Sequence, residues 1–109
     1  MTESLTALAN RLLDEARLAD SGRAAHTPVG GSGHVLRQTV IALRSGEELG
    51  EHSSPGEATV LVLRGAVELC SGPDVESGTE GDLMVVPPCA HSLRANQDSV
   101  VLLTVVKLK

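Results

Sequence analysis

Apolar residues recur at Leu5, Leu8, Leu12 and Ala16, a spacing of three and four that predicts an amphipathic helix over residues 3 to about 21. Ala9, Leu13 and Ala19 widen the stripe, Thr2 or Ser4 can cap its start, and Gly22 suits the left-handed position past its end. From Arg23 to Gly33 the periodicity lapses among Pro28, Gly30, Gly31 and Gly33. That stretch is expected to be a connector with at most a short strand near 26–29. From His34 onward the pattern changes to short β-rich runs at 34–43, 59–63, 66–70, 83–86, 91–95 and 100–106. Gly or Pro interrupts them every eight to twelve residues, and 71–80 has the polar, glycine-containing composition of an exposed hairpin loop. No helical pattern separates the strands, so a parallel α/β sheet is excluded. The expected fold is all-β, a small barrel with an N-terminal α-helix. Residues 1–33 form the helix and connector and residues 34–109 the barrel, together one structural domain.

The runs at 60–63 and 100–106 are apolar at nearly every position, although a strand lining a barrel needs only one apolar face. Their outer faces should therefore be covered as well, one by the helix and another by a second subunit. This predicts a homodimer.

Composition narrows the chemistry. The 109 residues suffice for one core, and 41% are hydrophobic, yet Phe, Tyr and Trp are all absent. The core must gain stability from many small aliphatic contacts. Stacking of bases, cofactor rings or sugars on aromatic side chains is unavailable. Nine Lys and Arg against fourteen Asp and Glu give a net charge of −5, with no basic cluster to release counterions from nucleic acid. Arg11, Arg17 and Arg23 alternate with Asp14, Glu15 and Asp20, as on a solvated helix face. No apolar run approaches a membrane span, and the N-terminus lacks a basic region followed by a hydrophobic stretch. Cys70 and Cys89 are too few for a disulfide framework and lack metal-knuckle spacing, so a reduced, cytoplasmic setting is expected.

Two phrases carry candidate chemistry. In the first, five residues separate Gly46 from His52, then come Ser54, Pro55-Gly56-Glu57-Ala58 and a strand ending at Gly65. The second runs Gly81-Asp82-Leu83-Met84-Val85-Val86-Pro87-Pro88-Cys89-Ala90-His91 and is followed by Asn96. Together they resemble the paired motifs of the cupin superfamily over about residues 34–106. The first family motif reads Gly, five residues, His-x-His, three or four residues, Glu, six residues, Gly. The second reads Gly, five residues, Pro, two residues, His, three residues, Asn. The resemblance implies a jelly-roll barrel, often dimeric, whose metal site takes three histidines and one glutamate from these motifs.

Position by position, His52 matches the first histidine, and His91, measured from Pro88, matches the histidine of the second motif. Ser54 stands where another histidine belongs, and Ala58 stands where the glutamate belongs if the spacing to Gly65 is kept. Alternate residues of a strand share a face, so Ser54 and Ala58 should look the same way as His52, and neither is a strong ligand. Glu57 is one residue away and turns to the opposite face of a regular strand, rejoining the site only through a bulge or an altered turn. Tight transition-metal sites want at least three protein ligands. The expected cofactor is therefore none, or a weakly bound divalent transition metal on His52 and His91 with Glu57 as the only candidate carboxylate. The expected ligand pocket comprises His52, His91, Ser54, Ala58 and Gln38, whose amide either points inward from the preceding strand or stays exposed between Arg37 and Thr39.

Paired imidazoles titrate near neutrality and suit general acid–base work. The family also includes metal-free isomerases and epimerases. Cys89 and His91 are two apart, but nothing in the sequence marks a depressed thiol pKa or an oxyanion site, so covalent catalysis is not expected. His26 and His34 have no partner spacing. Three readings stand: a binding or sensing barrel for an unidentified small molecule with a degenerate metal site, a small metal-dependent dioxygenase or isomerase, and a metal-free isomerase or epimerase. The first is preferred, because the losses fall on ligand positions while the fold-defining glycines and prolines remain.

Overall fold

The computed structural model describes residues 1–52 and 56–107, with Glu51 and His52 described by their backbone alone. Helix α1 spans Leu5–Leu18, capped by Ser4, whose hydroxyl accepts from the Ala7 N–H at 3.2 Å. It ends at Ala19, whose N–H still donates to the Glu15 carbonyl. Gly22, at φ 67°, turns the chain into the first strand.

Nine strands follow: β1 Arg23–Val29, β2 Leu36–Leu43, β3 Glu48–His52, β4 Gly56–Arg64, β5 Ala66–Ser71, β6 Asp74–Thr79, β7 Leu83–Val85, β8 His91–Ala95 and β9 Ser99–Lys107. They form a five-stranded sheet in the order β1-β2-β9-β4-β7 and a four-stranded sheet in the order β3-β8-β5-β6. Every pairing is antiparallel. The two sheets pack face to face as a jelly roll, without hydrogen-bonded closure into one continuous sheet.

Four of the six sheet changes occur at one end, through short turns: Arg44–Glu47 between β2 and β3, Gly65 between β4 and β5, Glu80–Asp82 between β6 and β7, and Asn96–Asp98 between β8 and β9. We call this end the floor. Gly65 shows how tight it is. Its φ is 88°, and a Cβ there would lie 2.3 Å from Ser99 Oγ and 2.5 Å from the Asp98 carbonyl oxygen. The Ser99 hydroxyl, 1% exposed, closes the corner by accepting from the Ala66 N–H at 3.1 Å and lying 2.7 Å from the Gln97 carbonyl. The opposite end, the mouth, carries the longer connections before β2 and between β7 and β8.

The hydrophobic cluster between the sheets is aliphatic or sulfur-containing, built from Ile41, Leu43, Ala58, Val60, Val62, Val67, Leu69, Met84, Leu93, Val101 and Val105 among others. A second cluster lies outside the five-stranded sheet, where Leu8, Ala9, Leu12, Leu13 and Ala16 of α1 meet Val40, Ala42 and Val100, with Leu63 and Leu102 beside them. This explains strands that are apolar on both faces. Each buried Leu of α1 contributes about 1.5–3 kcal/mol of burial, far more than helix propensity supplies.

The sheet begins earlier than the sequence pattern indicates. Residues 23–29, expected as a connector with at most a short strand near 26–29, form β1 throughout, which pairs along β2 from Arg23↔Leu43 to Val29↔Gln38 with an irregularity between His26 and Val29. β1 has no apolar alternation because it is an edge strand whose partner supplies the ladder, and Pro28 is tolerated at such an edge. Likewise 74–79, expected within a loop, is the edge strand β6. Its only buried residue is Gly78, where an added Cβ would lie 2.6 Å from Met84 Sδ, so a polar sequence suffices.

Candidate functional site at the barrel mouth

β3 and β8 end side by side at the mouth, and their register places His52 directly opposite His91. The irregularity between Leu49 and His52 falls just before this pair. The His52 side chain lies outside the described residues, as does Ser54 in its entirety. His91 is 4% exposed and is one of only two buried polar residues among those described, with Ser99. Its Nδ1 lies 2.9 Å from the Cys89 carbonyl oxygen. A carbonyl only accepts, so Nδ1 donates in this contact.

Pro87 and Pro88 end β7 and set the loop that makes this contact, since neither can donate to a ladder. The loop is pinned to the end of β5. The Ser71 hydroxyl donates to the Ala90 carbonyl at 3.0 Å and lies 3.0 Å from Cys89 Sγ. Cys89 is an exposed free thiol held by a serine, with no imidazole or cation at hydrogen-bond distance among the described residues.

Beneath His91 is a small interior cavity of about 20 Å³, lined by Ile41, Leu49, Val60, Leu69, Val86, Leu93, Val101 and Leu103. That space holds about one water molecule, whereas ligand pockets usually measure about 300–1,000 Å³. A ligand that meets His91 therefore sits at the mouth, above the packed interior. Beside the mouth, between β6 and the β7–β8 loop, an open cleft of about 400 Å³ is lined by Ser71, Asp74, Glu76, Val85, Pro87 and Cys89 among others.

The opposite wall settles several expected positions. Ala58 is 6% exposed and belongs to the interior cluster, so the position matching the family glutamate does face inward but offers only a methyl group. Glu57 is exposed on the outer face. There it lines an open groove of about 590 Å³ with Thr59, Val85, Thr104 and Val106. β4 keeps regular pairing with β9 from Gly56 to Val62, so no bulge returns Glu57 to the interior, and its candidacy as a ligand is corrected. Gln38 is corrected too. It lies on the outer face with Val40 and Ala42, and its amide donates to the Thr104 hydroxyl at 3.2 Å. The positions on β2 that share the inner face with Ile41 at this end are Thr39 and Arg37, and sequence reasoning passed over both. In LRQTVIAL the last four residues are all apolar, so the helix-covered outer face hides the strand's phase.

The family's metal site thus fits poorly here. Two histidines match, an inward methyl replaces the carboxylate, and the adjacent carboxylate faces away. Among the described residues no three His, Cys, Asp or Glu side chains converge.

The clear pKa shifts lie elsewhere. Asp98, at the floor, is held below the usual carboxylate range, first by its hydrogen bond with Arg17 and then by the Ser45 N–H. The Nε of Arg17 and the N–H of Ser45 each reach it at 2.8 Å. Glu68, on the outer face of the four-stranded sheet, is lowered by its hydrogen bond with Arg94. Both anchor structure away from the mouth.

No family model matches the chain, and no curated protein matches it. Solved structures do. A conserved protein of unknown function from Streptococcus pyogenes is 34% identical, with a TM-score of 0.74 over 84% of this chain and 79% of that one. A cupin superfamily protein from Desulfitobacterium hafniense DCB-2 is 14% identical, with a TM-score of 0.73 over 79% of this chain and 78% of the other. A salicylate 1,2-dioxygenase from Pseudaminobacter salicylatoxidans is 22% identical, with a TM-score of 0.76; it aligns with 92% of this chain, which spans only 33% of the dioxygenase. With the same two-sheet jelly roll, and with its two motif histidines opposite each other in register, the chain has the cupin fold.

Proposed function

We propose that this cupin-type protein binds or senses a small molecule at its mouth, with His91 and His52 as the polar contacts and without the family's full metal set. The observation that carries this reading is the inner face of β4. Ala58 occupies the carboxylate position and Glu57 turns outward, while His91 keeps its buried place and its contact with the Cys89 carbonyl. Two imidazoles remain, able to accept from or donate to a ligand, and able to hold a divalent metal only weakly when waters complete its shell.

The test is ligand-dependent stabilisation. Anything that binds only the folded state raises the unfolding midpoint by mass action. Chelator-treated protein is expected to be stabilised by one or more members of a small-molecule panel, with the effect lost in His91→Gln and no product formed. Turnover abolished by chelator overturns this reading in favour of a metal-dependent enzyme. Turnover that survives chelation but not His91→Gln overturns it in favour of a metal-free isomerase or epimerase.

We include a homodimer in the proposal, on a narrower footing than the apolar strands suggested. Helix α1 already covers Val100, Leu63 and part of Leu102. Leu83 and Val85, 64% and 69% exposed on β7, are left uncovered on the same sheet. Light scattering is expected to give twice the chain mass; a monomer at high micromolar concentration contradicts it. No helix among the described residues is long and apolar enough to cross a membrane.

A further inference from the structure

We propose that the mouth takes a small organic anion, a carboxylate in the first instance, and that Arg37 sets this preference. The inference rests on the binding function proposed above and names its ligand class. Ile41 and Leu43 of β2 belong to the interior cluster, whereas Val40 and Ala42 meet the helix. With period-two alternation, Thr39 and Arg37 continue the inner series towards the mouth. Register agrees: Arg37 pairs with Val105, which pairs with Ala58, and both belong to the interior cluster. The next inner position of β9 is Lys107, opposite Gly56. β2 begins at the end where β3 finishes, so Arg37 rises from the wall facing the histidine pair, across sheets that pack about 10 Å apart.

Local structure accommodates this arginine and leaves its charge available. A Cβ on Gly30 would lie 2.8 Å from Arg37 Cγ, so the loop before β2 stays clear of the stem only as glycine. One rung below, the Thr27 and Thr39 hydroxyls lie 3.0 Å apart as further polar contacts. Arg11, Arg17, Arg44, Arg64 and Arg94 are each held by an acidic or amide partner. Among the described residues Arg23, at the floor end of β1, and Arg37 and Lys107, at the mouth, have neither an ion pair nor a side-chain hydrogen bond. Among the described residues no acidic side chain forms an ion pair with Arg37 or Lys107. Glu57 is turned outward, and Asp74 and Glu76 lie on β6, the far edge of the other sheet. Among the described residues, β2 and β9 present cations at this end, although the chain as a whole carries −5. An anion approaching the mouth meets a planar guanidinium suited to bidentate carboxylate contact on one side and His91 on the other.

The experiment uses isothermal titration with two acid and amide pairs of matched shape, benzoate with benzamide and succinate with succinamide. The proteins are the chelator-treated full chain, Arg37→Gln and His91→Gln. Arg37 is exposed, so its variant is expected to fold as the parent does. The expected result is a preference of roughly tenfold or more for the acid in the parent, the scale of one charged hydrogen-bonded contact. Arg37→Gln loses that preference and leaves amide affinity unchanged, whereas His91→Gln weakens both members of a pair. Equal affinity for acid and amide, or a preference that persists in Arg37→Gln, overturns the anion inference alone when binding still depends on His91. Failure of every probe to bind the parent overturns the anion inference; the wider panel above then decides the binding function separately.

Discussion

The two ends of this barrel are built from different materials. At the floor the turns between sheets are one to four residues long, and their polar groups are tied off. Asp98 takes the Arg17 guanidinium and the Ser45 N–H, and Ser45 Oγ reaches the Asn96 carbonyl at 3.3 Å. Arg44 Nη1 leans on the Arg17 and Ala19 carbonyls that end α1, at 3.4 Å each. At the mouth the connections before β2 and between β7 and β8 are longer, His91 Nδ1 meets the Cys89 carbonyl, and among the described residues Arg37 and Lys107 have no ion pair. The comparison teaches where stability and function reside. The floor fixes the jelly roll and the helix against it, so the mouth can carry polar groups whose partners come from outside the chain.

Changes at the floor should therefore cost stability and leave binding intact, and changes at the mouth the reverse. The largest effect is expected for Gly65→Ala, which adds both a positive-φ penalty and overlap with Ser99 and the Asp98 carbonyl. About 3 kcal/mol or more should be lost in urea denaturation, provided the variant folds. Next is Leu12→Ala, which removes a 2%-exposed side chain between α1 and the sheet. A loss of about 2–4 kcal/mol is expected, with ligand binding unchanged in the folded fraction. Asp98→Asn comes third, at about 1 kcal/mol near neutral pH, because the site is partly solvated.

Asp98 also gives a pH signature. Its folded pKa is lowered, so its contribution is present above the unfolded value of about 4 and is lost as pH falls through the folded one. Stability of the parent should fall more steeply below about pH 4 than that of Asp98→Asn, and parallel acid limbs would contradict the assignment. The smallest effect is expected at the mouth. Arg37→Gln should change stability by less than about 0.5 kcal/mol, as exposed substitutions do, while altering anion binding.

Much of this layout was legible in the residues, for identifiable reasons. α1 announced itself through Leu5, Leu8, Leu12 and Ala16 because one face only is buried. The central strands β4 and β9 were equally plain, and of the covers implied by their apolar outer faces the helix supplies one, over Val100, Leu63 and Leu102. β1 and β6 were hidden, because an edge strand borrows its pairing from a neighbour and needs little apolar alternation of its own. The inward place of Ala58 and the outward place of Glu57 followed from period two on a strand whose phase the Gly65 spacing anchors. Gln38 failed where that anchor was missing: in a strand covered on both faces, alternation carries no sign. Arg37 was missed for the same reason, and its role became visible only through register with Val105.

Metal content tests the central claim most directly. Tag-free protein, incubated with iron, manganese, nickel or zinc and then passed through a desalting column, should retain no stoichiometric metal, and His91→Gln should be indistinguishable from it. Near-stoichiometric metal retained by the parent and lost in His91→Gln would contradict a degenerate site and establish that the mouth rebuilds its missing ligands by another route.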